Sequence, residues 1–103
     1  MLRGLKDTAV EPFAYEEISI TGSITTLNPL YLSKAEQVLI RFESGPIRYC
    51  VDGSVPNSNF GWPAYNGDEE VFSHYEAINM QMIRIGATNG LARVRYYAYK
   101  VVT

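Results

Sequence analysis

Apolar and polar residues alternate with a period of two through much of the chain, the spacing that gives a β-strand one buried face. In residues 46–57, Ile47, Tyr49 and Val51 alternate with Arg48, Cys50 and Asp52. Asp52-Gly53 then tolerates the left-handed backbone of a tight turn, and Pro56, lacking a donor, stops simple continuation of a ladder. In residues 37–43, Val38, Ile40 and Phe42 fall on one face, with Leu39 and Arg41 on the other. Ser44-Gly45 separates this run from Pro46, so the two runs predict a hairpin. Residues 91–102 form the last and longest predicted strand. Ala92, Val94, Tyr96 and Ala98 share one face, which Lys100 continues; Leu91, Arg93, Arg95, Tyr97 and Tyr99 share the other.

Weaker patterns fill the intervals. Residues 15–20 predict a first strand on Tyr15, Ile18 and Ile20, followed by a Thr21-Gly22 turn. Residues 23–27 predict a second strand, closed by Asn28-Pro29. Residues 33–36 form a polar connector with room for one helical turn. Residues 57–66 read as a loop or a short edge strand, in which Pro63 blocks further pairing. An acidic turn at 67–70, a short apolar run at Val71-Phe72, an apolar stretch over 77–85 and a turn at 86–90 complete the chain. The expectation is an all-β fold: one antiparallel β-sandwich or barrel of about seven to eight short strands. Its core is predicted to contain Val38, Ile40, Phe42, Ile47, Tyr49, Val51, Val94 and Tyr96. Residues 1–12 have no steady period and predict an extended N-terminal arm, docked on a partner or frayed. The sandwich domain is then 13–103.

At 103 residues the chain has the length of one domain, and its 47% hydrophobic content argues against disorder. A net charge of -2 argues against a nucleic-acid partner, which would call for a basic excess. Cys50 is the only cysteine, so no internal disulfide forms, and an unpaired thiol in a reducing compartment or in a particle assembled there is expected. The first seven residues carry no leader-like apolar run, and no segment has the length of a membrane span, so no membrane partner is expected.

The candidate chemistry is sparse. His74, the only histidine, has no accompanying nucleophile motif and reads as a surface or packing residue. One Cys and one His do not make a closed zinc site, and Asp68-Glu69-Glu70 lacks the spaced ligands of a calcium loop. The glycines form no phosphate cradle. No catalytic residue, metal site or cofactor is therefore expected. Two groups remain. Arg93, Arg95, Tyr97 and Tyr99 form a stripe of residue types enriched in protein interfaces, which could also serve single-stranded nucleic acid or simply cover the outside of the strand. Phe60, Trp62 and Tyr65 form an alternative ligand platform, able to stack on a sugar or to plug one end of the core.

The motif Pro46-Ile47-Arg48-Tyr49…Asp52-Gly53…Pro56, with Gly61 and Gly67-Asp68 after it, resembles small tailed-phage virion proteins of this length. Glu43, Ile83-Arg84-Ile85 and Val94-Arg95-Tyr96-Tyr97 extend the similarity over about residues 20–97. The resemblance implies a β-sandwich component of a capsid or tail: a decoration or cement protein, or a small head or tail protein. It would be non-enzymatic, assembled in the host cytoplasm into the virion, and would touch other virion proteins and its own copies. The segment Ile47-Arg48-Tyr49…Asp52-Gly53-Ser54…Pro56 also resembles the accessory β-sandwich domain of chitobiase-like glycosidases. Together with the aromatic group, the alternative expectation is a carbohydrate-binding module.

Overall fold

The computed structural model describes residues 10–100. In chain order it contains β1 (Val10–Ile20), α1 (Pro29–Leu32), β2 (Gln37–Ser44), β3 (Ile47–Cys50), β4 (Trp62–Ala64), β5 (Glu69–Ser73), α2 (His74–Ile78), β6 (Gln81–Arg84) and β7 (Gly90–Tyr99). The strands form two antiparallel sheets, one ordered β1-β7-β2-β5 and the other β4-β3-β6. The all-β fold read from the alternation is the fold observed.

Period-two alternation decides which face each strand buries. Val38, Ile40 and Phe42 of β2 lie opposite Tyr96, Val94 and Ala92 of β7, and all six are buried. Ile47, Ala64 and Met82 from the second sheet complete the same core, with Ile20, Leu27 and Met80 closing its ends. Aromatic rings join the layers. Tyr49 of β3 stacks on Phe42 of β2 with centroids 5.7 Å apart and planes at 9°. The same ring meets Phe72 of β5 edge-on at 5.4 Å. Burial raises the Tyr49 phenol above its ordinary pKa. Tyr49 and Val51 are half-buried at the margin of the core rather than inside it, while the other six predicted core residues are fully buried.

The expected β2–β3 hairpin does not form. β2 pairs with β5 and β7, whereas β3 pairs with β4 and β6 in the opposite sheet. Residues 44–46 are a corner between sheets. Ser44 takes a positive φ of 68°, and its N–H donates to Asn66 Oδ1 at 3.1 Å. The Gly45 N–H donates to the Asn89 carbonyl at 3.2 Å, and a Cβ on Gly45 would lie 2.3 Å from the Thr88 carbonyl oxygen. Only glycine fits at this crossing.

Four other expectations are corrected. The strand over 23–27 reduces to one bridge, Thr25 to Met82, although it covers the outer edge of β6. The helical turn lies at Pro29–Leu32, just before the connector, because Asn28 accepts the Leu30 N–H at 2.9 Å and Pro29 suits a first helical position. The stretch over 77–85 is divided between α2 and β6. Ser73 and Glu76 form a reciprocal capping box that turns the chain into α2. β1 also starts earlier than expected: residues 10–12 of the predicted arm pair with residues 97–99 of β7, while residues 1–9 and 101–103 lie outside the described residues.

Candidate functional site

Two surface regions gather the residues singled out in the sequence. The first is the outer face of the four-stranded sheet. Register aligns Glu17 of β1, Arg93 of β7, Arg41 of β2 and Glu69 of β5 in one row. Two arginines directly opposite each other repel, and Glu43 relieves this by taking both. Its carboxylate accepts from Arg93 Nε at 2.8 Å and from Arg41 Nε at 3.1 Å. The other side of the Arg93 guanidinium donates to Tyr15 Oη at 3.0 Å and to the Glu17 carboxylate. The hydrogen bond from Arg93 holds the Glu43 carboxyl below the usual carboxylate range, and Glu43 in turn raises the guanidinium pKa of Arg93. These pairs are open to solvent, so they orient side chains more than they stabilise the fold.

The next row holds Tyr15, Arg95 and Leu39. Arg95 is exposed and, among the described residues, its side chain has no hydrogen bond or ion pair. It lines a depression of about 330 Å³ with Tyr15, Leu39, Arg41, Glu69 and Arg93. The remaining stripe residues differ. Tyr97 is only 5% exposed, packed with Val10, Leu39 and Val71 in a small second cluster, and offers almost no surface. Tyr99 is exposed and its hydroxyl donates to Glu36 Oε1 at 2.9 Å, which raises its pKa. The stripe read from β7 alone is thus one anchored arginine, one free arginine, one buried tyrosine and one exposed tyrosine. Tyr15, Arg41 and Glu69 join it only through strand register.

The second region is the loop from β3 to β4. Trp62 is 67% exposed and Phe60 52%, so Trp62 does not plug the core. Both rings line a cleft of about 370 Å³ with Cys50, Val51, Asp52 and Gly61. Tyr65 is exposed but lies outside that lining, and no ring contact links the three aromatics. The loop is pinned from below. Arg48 donates to the Gly61 carbonyl at 2.8 Å and to the Ser58 carbonyl at 3.2 Å. Asn57 and Phe60 exchange backbone hydrogen bonds at 3.0 and 3.3 Å. Gly61 has φ 119°, and a Cβ there would approach the Tyr49 carbonyl to 3.0 Å. Asp52 Oδ1 accepts the Ser54 N–H at 3.0 Å, which lowers the carboxyl pKa. Burial raises the Cys50 thiol, which disfavours the reactive thiolate.

His74 and Asp68 have structural partners. His74 opens α2, and its Nδ1–H donates to the Ala35 carbonyl at 2.7 Å while its backbone N–H donates to Glu36. Asp68 caps its own turn by accepting the Tyr65 N–H at 2.9 Å, and Glu69 and Glu70 point to opposite faces of β5. Among the described residues no group of three or more His, Cys, Asp or Glu could hold a metal ion, and no helix is long and apolar enough to cross a membrane. Comparisons of the chain with protein-family models, curated proteins and solved structures find no match.

Proposed function

We propose that the chain is a non-enzymatic structural protein of a tailed-phage particle, a capsid decoration or cement protein or a small head or tail component. It docks on a neighbouring virion protein, and on its own copies, through the outer face of the four-stranded sheet. The observation that carries this reading is Arg95. It stands on an inner strand, in a depression floored by Leu39, beside Arg41 and Arg93 that Glu43 already holds in place. An unpaired guanidinium over an apolar floor, with its neighbours pre-oriented, favours docking of a carboxylate-bearing surface. Each contact is small, and repetition across a symmetric shell multiplies it.

The test is co-sedimentation of the purified chain with particles stripped of it. Arg95→Ala, alone and with Tyr99→Ala, should weaken binding while circular dichroism stays unchanged. Parental binding by both variants would remove the outer face from the interface. Tyr97→Ala is unsuitable as a probe because Tyr97 is buried and its loss would disturb the fold.

A further inference from the structure

We propose that the cleft between Trp62, Phe60 and Asp52 binds a neutral saccharide. This goes beyond the particle reading and does not depend on it. Exposed rings are common singly, but these two flank one cleft on a loop fixed by two Arg48 hydrogen bonds and the Asn57–Phe60 backbone exchange. Ordering the loop has therefore already been accomplished before any ligand arrives. The volume of about 370 Å³ lies within the range of small-ligand clefts.

The lining selects the ligand class. Trp62 and Phe60 offer ring faces for an apolar surface. Asp52 offers acceptors: Oδ1 takes the Ser54 N–H, the Ser54 hydroxyl also reaches the carboxylate, and its remaining lone pairs can take a donor from the ligand. An anionic ligand meets this carboxylate without a free cation, since Arg48 is engaged with two loop carbonyls. A wholly apolar ligand would desolvate Asp52 without a partner. A pyranose ring has both features required, a C–H face for the aromatics and hydroxyl donors for the carboxylate. Tyr65 does not line the cleft, so the site is Phe60 and Trp62 with Asp52 rather than three aromatics.

Trp62 is the only tryptophan, so its fluorescence reports on the site directly. The full chain is titrated with cellotetraose, maltotetraose and an N-acetylglucosamine trimer, each to about 10 mM, the upper end of weak binding. A saturable change in emission with at least one sugar is expected. Phe60→Ala and Asp52→Asn should each weaken it by roughly fivefold or more, the latter keeping the Ser54 turn bond while removing the charge. Trp62→Ala, followed by calorimetry, should abolish binding, and Tyr65→Ala should leave it unchanged. The substituted side chains are exposed or at the surface, and circular dichroism checks that each variant stays folded. No saturable change with any of the three sugars overturns the proposal. So does parental affinity in Trp62→Ala or Asp52→Asn.

Discussion

Phe42→Ala tests the packing on which both surface regions depend. Phe42 is 2% exposed and stacks on Tyr49, which belongs to the other sheet, so its ring holds the two layers together. Its backbone N–H donates to the Asp68 carbonyl at 2.8 Å and its carbonyl accepts from Gly67 at 2.7 Å. An alanine keeps both bonds, so the loss is one of packing. Burying a phenylalanine and leaving a cavity in its place amounts to about 3–5 kcal/mol, the stacked pair included. A domain of this size is stable by about 5–15 kcal/mol, so the variant should remain folded with little margin. Urea unfolding followed by circular dichroism measures the change, and the melting temperature should fall by at least about 12 °C. A cycle with Tyr49→Ala should return a coupling of about 0.5–1.5 kcal/mol. A loss below roughly 1 kcal/mol would mean that β2 turns its other face to the core, a register off by one.

Gly45→Ala should destabilise the fold by about 1–3 kcal/mol in the same assay, because its Cβ would meet the Thr88 backbone at the corner between sheets; a neutral result would contradict that corner. Glu43 has a native pKa below its unfolded value, mainly through the Arg93 hydrogen bond, so its contribution is present above the unfolded value and is lost as pH falls through the native one. Thermal melts across the acid range should therefore show a shallower acid limb for Glu43→Gln than for the parent, and parallel limbs would contradict this. Tyr96 has the opposite sign: burial, then the hydrogen bond to Glu16, raises its phenol above its ordinary 10.0, so stability is intact below that pH and falls as pH rises through it. Tyr96→Phe should flatten this alkaline loss in melts from about pH 8 to 11, while costing about 1–2 kcal/mol at neutral pH by depriving Glu16 and Asn28 of a partner.

Strong alternation made β2, β3 and β7 legible, together with the inner face that Val38, Ile40, Phe42, Val94 and Tyr96 share. Alternation identifies a face but not a partner. Ser44-Gly45-Pro46 is short enough for a hairpin, yet the chain changes sheets there, which depends on the distant contact of Gly45 with Thr88. The start of β1 was hidden by Glu11 and Pro12, which carry no strand signal and pair with β7 only once that strand is in place. α2 did have a local signal, the Ser73-x-x-Glu76 capping box, obscured by the apolar run that follows. At the sites, Arg93 and Arg95 have the same local pattern and opposite circumstances. Glu17, Glu43 and Tyr15 claim the first, and cross-strand register decides that. Tyr97 matched an exposed stripe because nothing local reveals that Val10, Leu39 and Val71 converge on it. Exposure of Trp62 likewise follows from where Arg48 pins the loop, a contact between residues ten or more apart.

A chain built into a tailed-phage particle, as proposed, stays with that particle through purification. Mass spectrometry of intact tailed-phage particles, purified by density gradient from cells that produce the chain, tests this most directly. The chain should be recovered at a fixed ratio to the major capsid or tail protein and remain through repeated banding. Its absence from intact particles, or its loss to the unbound fraction on the first gradient, would contradict a structural role in the particle.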